Sequence, residues 1–293
     1  MRKHLKIWAL IGAVVFAFSL MAGCGAEEAP TASFGGRIVG IEPGAGIMQA
    51  TEKAIEVYGL DFELQDSSSF AMAAALRSAI ENGEWIVVTG WSPHWKFAVY
   101  DLKYLEDPEG VYGGAETINT IVRKGLEEDD PALFAFLDNF LWGPEDIGMV
   151  MLDVSEGVDP WEAARKWVDE NADKVAVWTE GIEFPDGGKA HLAFVEWDCA
   201  IASTHVVATV LQDLGYDVEI TSVDAGIMWQ GIATGSFDAM TTAWLPHTHS
   251  GYWAEVGDQV VDLGPNYDGE AKIGLVVPAY VTIDSITEMN DYR

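Results

Sequence analysis

Basic residues are scarce in this chain. Its 293 residues include 16 Lys and Arg against 47 Asp and Glu, for a formal net charge of −31. Nucleic acid is bound by Lys and Arg that displace counterions from phosphates, so no nucleic-acid partner is expected. Anionic lipid is an equally poor surface for such a chain. Cysteine is scarcer still, with Cys24 and Cys199 alone. No disulfide framework can hold the fold, which must rest on a hydrophobic core. Past Leu20 no apolar run approaches the length of a membrane span. Gly-x-Ser-x-Gly, His-Glu-x-x-His and a Cys/His pair at useful spacing are all missing. The chain is therefore expected not to be an enzyme and to use no cofactor. Acid clusters such as Glu128-Asp129-Asp130 read as solvated surface. An acidic shell spread along the chain suits high salt, where self-repulsion is screened, and a saline habitat is the hypothesis that follows.

The start of the chain sets the compartment. Arg2, Lys3 and Lys6 precede an uncharged apolar run over 7–20, which has the length of a signal-peptide core. It ends in Leu20-Met21-Ala22-Gly23-Cys24, small residues before a cysteine, which resembles a lipoprotein processing site. Segment 1–23 is thus expected to be a signal peptide and Cys24 the lipidated residue. The Gly-, Ala-, Pro- and Ser-rich stretch 24–36 is expected to be a flexible tether. The protein would then stand on the extracytoplasmic face of the cell membrane, held by lipid methylenes that contribute about 0.8 kcal/mol each. An ordinary secretory signal and an uncleaved membrane anchor are the alternative readings.

Two stretches share one pattern. In 37–95, strands are expected over 37–41, 61–64 and 85–89, with helices over 48–58 and 70–82 between them. In 191–249, strands over 192–195, 217–221 and 240–243 alternate with helices over 200–214 and 227–234. Both read β-α-β-α-β, and both third strands run into Trp-x-Pro-His: Trp91-Ser92-Pro93-His94 and Trp244-Leu245-Pro246-His247. Alternating strands and helices imply parallel sheets, whose ligands sit beyond the carboxyl ends of the strands. The expected fold is α/β with two lobes. Residues 37–110 form the first, with 280–293 as a candidate return to it, and 111–279 form the second. Between the repeats, 130–141, 144–155 and 160–179 are expected to be amphipathic helices, and 272–278 a further strand.

Twelve Trp are many. Trp142, Trp161, Trp167 and Trp178 fall in the helical segment and read as packing residues. Trp91, Trp197 and Trp244 differ, because each lies at or just past the end of an expected strand, where a ring can face a ligand or simply pack. Three indole faces around one point would suit a quaternary ammonium group, which donates no hydrogen bond and is attracted to ring faces. Pro43-Gly44-Ala45-Gly46-Ile47 lies between a strand and a helix, where free backbone N–H groups attract an anion. It is not a Walker A loop, since no Gly-Lys-Ser/Thr follows, and a plain helix-entry turn is the competing reading. His247 and His249, with His94, allow a metal site on paper, but no further ligand lies at helical spacing, and none is expected. His249 donating to a ligand carboxylate fits better.

These residues carry a resemblance. Gly40-Ile41-Glu42-Pro43-Gly44-Ala45-Gly46-Ile47-Met48, Val88-Thr89-Gly90-Trp91-Ser92-Pro93-His94-Trp95, Tyr104-Leu105-Glu106-Asp107-Pro108 and Ala243-Trp244-Leu245-Pro246-His247-Thr248-His249 resemble the glycine betaine substrate-binding proteins of bacterial ABC importers. The likeness runs from Gly36 to about Tyr280, in the branch whose halves are circularly exchanged. It implies a type II periplasmic-binding-protein fold, each lobe a mostly parallel sheet flanked by helices, with the ligand in the cleft between lobes. It also implies an ammonium box of Trp91, Trp197 and Trp244, and a carboxylate site of the Gly46 and Ile47 N–H groups with His249. The expected partners are a small zwitterionic quaternary ammonium ligand and an ABC permease, with the protein itself a monomer serving osmoprotection. Glycine betaine is the leading ligand, with proline betaine beside it. Carnitine, choline or a sulfonium analogue on the same fold is the alternative, and a surface enzyme or metal-binding lipoprotein the distant one. Cys199 departs from the family pattern, close behind Trp197.

Overall fold

The computed structural model of the protein describes residues 32–293, residue 186 excepted. The expected signal peptide, Cys24 and most of the tether lie outside the described residues.

The first expected repeat forms β1 (Arg37–Val39), α1 (Gly46–Tyr58), β2 (Glu63–Gln65), α2 (Ser69–Asn82) and β3 (Val88–Ser92). Each helix stops where the sequence allows a left-handed residue, at Gly59 (φ 58°) and Gly83 (φ 68°). Helix α2 starts at Ser68, whose hydroxyl accepts the Ala71 N–H at 3.2 Å. A short helix α3 (Lys96–Val99) and strand β4 (Leu102–Tyr104) follow. The chain then enters a second sheet through β5 (Thr117–Arg123), and the helical segment comprises α4 (Leu126–Asp129), α5 (Pro131–Asn139), α6 (Pro144–Ser155), α7 (Pro160–Glu170) and α8 (Ala172–Thr179). Pro opens α5, α6 and α7, where its missing N–H costs nothing. Trp142, Trp167 and Trp178 pack there as expected, the last two stacked at 5.6 Å. Trp161 is only half-buried, against His205.

The second repeat forms β6 (Lys189–Phe194), α9 (Asp198–Asp213), β7 (Asp217–Ser222), α10 (Ala225–Thr234) and β8 (Ala239–Leu245). Helix α9 is buried from Asp198 to Leu211, covered by α6 and α7 on one side and by β6, β7 and β8 on the other. After α11 (Ser250–Val256) and β9 (Val260–Pro265), β10 (Lys272–Pro278) completes the strands.

The two sheets have matching orders, β2-β1-β3-β10-β4 and β7-β6-β8-β5-β9. The repeats supply the parallel part of each, β2-β1-β3 and β7-β6-β8. The reversed strands are β10, antiparallel to β3 and β4, and β5, antiparallel to β8 and β9. The fold is α/β with two lobes, each a five-stranded mixed sheet flanked by helices. The lobe assignment departs from the sequence reading at one strand. The segment 272–278, expected within the second lobe, pairs into the first sheet, because strand partners far apart in the chain leave no trace in a local pattern.

Candidate functional site

The two lobes meet at the carboxyl ends of their parallel strands. Trp91 is the penultimate residue of β3, paired with Ile273 of β10. Trp244 is the penultimate residue of β8, paired with Ile118 of β5. Trp197 is the N-cap residue of α9, in the turn that leaves β6. All three are at least 94 % buried, and all three line one cavity, together with Ile41, Gly46, Ile47, Cys199, Thr248 and His249. The structure thus brings all six sequence-selected residues to one place.

Each ring is fixed by its surroundings. The Trp197 Nε1–H donates to the carboxylate of Glu42, which lies between β1 and α1, so this bond crosses the cleft. Burial raises the Glu42 pKa, and its hydrogen bond from Trp197 opposes that rise. Trp91 has the His94 ring edge-on at 4.8 Å and the Lys96 ammonium nitrogen 4.3 Å from its ring centre. Trp244 is tied to His249 by two contacts. Its N–H donates to His249 Nδ1 at 3.1 Å, and its carbonyl accepts the His249 N–H at 2.9 Å.

That pairing fixes the imidazole. A backbone N–H can only donate, so Nδ1 is unprotonated, and a neutral ring then carries its proton on Nε2. Burial drives the His249 pKa down to about 3, so the ring is neutral near pH 7. Its Nε2 is buried with no partner among the described residues. It is a donor awaiting an acceptor, a state that costs about 1–3 kcal/mol when left unmet.

The start of α1 supplies two more donors. The Met48 and Gln49 N–H groups bond to the Ala45 carbonyl, but those of Gly46 and Ile47 meet no acceptor among the described residues. They sit at the positive end of a 13-residue helix with no acid in its first turn. Gly46 is required by contact rather than by torsion. A Cβ there would lie 2.1 Å from the Thr248 carbonyl oxygen of the opposite lobe. Thr248 is itself pinned, because the Glu116 carboxylate accepts the His247 N–H at 2.9 Å, the Thr248 N–H at 2.6 Å and the Thr248 hydroxyl.

The lining bears no formal charge near pH 7. His249 is neutral, burial pushes the Cys199 thiol up to about 12, and no carboxylate, Lys or Arg reaches the wall. Such a chamber offers aromatic faces to a cation and N–H groups to an anion, and balances neither alone. His247 is exposed and apart from the buried His94 and His249. No cluster of three metal-ligating side chains exists among the described residues.

Sequence reasoning did not select Ile41, Thr248, Ile273, Glu42 or Asp198. Glu42 and Thr248 lie inside motifs already noted. Ile273 faces the cavity through the β3–β10 pairing, which no local signal carries.

The family model for the substrate-binding domain of ABC-type glycine betaine transport systems, OpuAC, matches residues 24–170 and 190–293. The chain belongs to this family. It is 47% identical over 300 residues to the glycine betaine/carnitine transport binding protein GbuC of Listeria monocytogenes serotype 1/2a (strain 10403S), covering 99% of either chain. Among solved structures, lactococcal OpuAC in its closed-liganded conformation with glycine betaine is 46% identical, at a TM-score of 0.49, over 53% of this chain and 61% of that one. The glycine betaine/L-proline-binding protein ProX of Borrelia burgdorferi is 38% identical, at a TM-score of 0.49, over 51% of this chain and 57% of that one. Both structural matches thus span less than two thirds of the solved chains. The family serves transport rather than catalysis, and its members work outside the cytoplasm. Among the described residues no helix is long and apolar enough to cross a membrane.

Proposed function

We propose that this protein captures glycine betaine in the interlobe cleft and delivers it to an ABC importer, with Cys24 carrying the lipid that holds it at the membrane. The observation that carries the reading is the uncharged lining with aromatic faces at Trp91, Trp197 and Trp244 and free donors at Gly46, Ile47 and His249. A zwitterion satisfies both ends without adding net charge to a buried site. Its trimethylated nitrogen gains on the order of 2 kcal/mol from a desolvated ring face, and its carboxylate accepts from α1 and His249.

The test is titration calorimetry with glycine betaine, proline betaine, carnitine and choline. Glycine betaine should bind. Choline, with a hydroxyl in place of the carboxylate, leaves the α1 and His249 donors poorly matched and should bind about tenfold to a hundredfold more weakly. Trp91→Ala and Trp244→Ala should each lower glycine betaine affinity by about tenfold or more while the protein stays folded. Choline binding as tightly as glycine betaine, or unchanged affinity in both variants, would overturn the proposal. Carnitine is the second reading, favoured by the 47% identity to a protein named for both ligands, and the same titration ranks the two. Mass spectrometry of membrane-derived protein tests Cys24, where a bare cysteine would remove the anchor.

A further inference from the structure

A second polar cluster lies behind the Trp91 wall and also spans the lobes. Asp198, the first residue of α9, belongs to the second lobe and is 5 % exposed. Its oxygens are met from the first lobe. The Ser69 hydroxyl, at the start of α2, donates to Oδ2 at 2.6 Å, and the Trp95 Nε1–H donates to Oδ1 at 2.6 Å. His94 Nε2 stands 3.4 Å from Oδ2. His94 Nδ1 accepts the Lys96 N–H at 3.2 Å, so in the neutral ring the proton sits on Nε2, beside the carboxylate but outside hydrogen-bond geometry. Burial, with the charge of Lys96, lowers the His94 pKa to about 4. Burial opposes ionisation of Asp198, but His94 and the bonds from Ser69 and Trp95 outweigh it and hold the carboxyl well below its usual range.

Asp198 does not line the cavity, yet it is joined to the cavity from both sides. Its chain neighbours Trp197 and Cys199 are wall residues. Across the lobes, His94 packs on Trp91 and the Lys96 nitrogen lies over the same ring. Separating the lobes would take Asp198 away from Ser69, His94 and Trp95 together. Each group would then need water, so these contacts favour the closed arrangement alone. Closing the rings of Trp91 and Trp197 on a ligand and forming the Asp198 contacts are one movement.

We propose that Asp198 is the closure residue of this receptor, a positioning group in one lobe that gathers Ser69, His94 and Trp95 of the other and so keeps Trp91 and Trp197 on the ligand. The inference rests on the functional reading above. Its test uses glycine betaine as the probe, with calorimetry, small-angle scattering with and without the probe, and thermal unfolding without it. The variants are Asp198→Asn, Ser69→Ala and Trp95→Phe. Truncating one partner of a buried charged hydrogen bond costs enough to weaken binding about thirtyfold or more. Asp198→Asn should show that loss, and should contract only at correspondingly higher probe concentration. Its ligand-free unfolding midpoint should stay close to that of the wild type. Adding Ser69→Ala to Asp198→Asn should cost little more, since the pair acts as one contact. A structural role for Asp198 would instead lower the ligand-free midpoint and leave Ser69→Ala and Trp95→Phe binding normally. That result, or wild-type binding and contraction in Asp198→Asn, overturns the inference alone. Wild-type protein that neither binds nor contracts with any betaine tested overturns the functional reading, and this inference with it.

Discussion

Lys96 and His249 stand five residues after Trp91 and Trp244, in matching places of the two repeats, and both bury a nitrogen that lacks a partner among the described residues. Their protonation differs. Burial brings the Lys96 pKa down to about 7, with Asp198 and Cys199 holding it up, whereas His249 falls to about 3. An unfolded chain keeps Lys protonated to about 10.4. Between pH 7 and that value the unfolded state binds more protons than the folded one, so this group makes stability rise with pH across the window. Below pH 7 the full cost of a buried ammonium is present. Lys96→Met should therefore raise the unfolding midpoint most at pH 6, and the gap to wild type should narrow toward pH 10. A gap independent of pH, followed by calorimetry, would contradict this. His249 acts in the same direction lower on the scale, from about 3 up to its ordinary value. Both make the fold less stable in acid.

At the scale of elements, the cleft depends on how closely α1 approaches the turn between β8 and α11. Ala favours a helix over Gly by about 1 kcal/mol in helix interiors, so Gly46→Ala leaves α1 itself unharmed. The added Cβ would collide with the Thr248 carbonyl, which Glu116 keeps from retreating. Glycine betaine affinity should fall by about tenfold or more with the ligand-free unfolding midpoint unchanged or higher, as calorimetry and thermal unfolding would record. Retained affinity would mean that the turn yields.

The helices were legible in the sequence because their stops are local: Gly59, Gly83 and Gly235 each carry a positive φ. Strand β3 was expected over 85–89 and forms at Val88–Ser92, because Gly90 reads as a strand breaker. It belongs inside the strand, since a Cβ there would lie 2.2 Å from Val276 of β10. The single helix expected over 160–179 breaks at Asn171, whose side chain donates to the Trp167 carbonyl at 2.8 Å. The turn lets Trp178 stack on Trp167. In both cases the deciding contact joins residues that no periodicity relates. Trp91 and Trp244 were visible because both repeats run into Trp-x-Pro-His, and His249 because it follows the second of these turns, whereas Trp197 became firm only through the family resemblance. Asp198 was invisible, since one acid among 47 Asp and Glu reads as surface.

Across the whole molecule, a net charge of −31 makes compaction work against self-repulsion. Screening shortens from about 10 Å at 0.1 M salt to about 3 Å at 1 M. The unfolding midpoint should rise over that range in sodium chloride, and a flat profile would separate the acidic surface from any adaptation to salt.

The order of strands in the first sheet bears on how the protein is made. Among the described residues, strand β10 is the only partner of β4 and one of two partners of β3, and it comes after the whole of the second lobe. A chain emerging from its amino end can finish the second sheet, from β5 to β9, as one uninterrupted passage. The sheet begun first must wait, its β3 edge open, until β10 has followed the whole of the second sheet. A chain cut short before Lys272 would lack the strand that joins β3 to β4, and with it the Ile273 wall of the cavity.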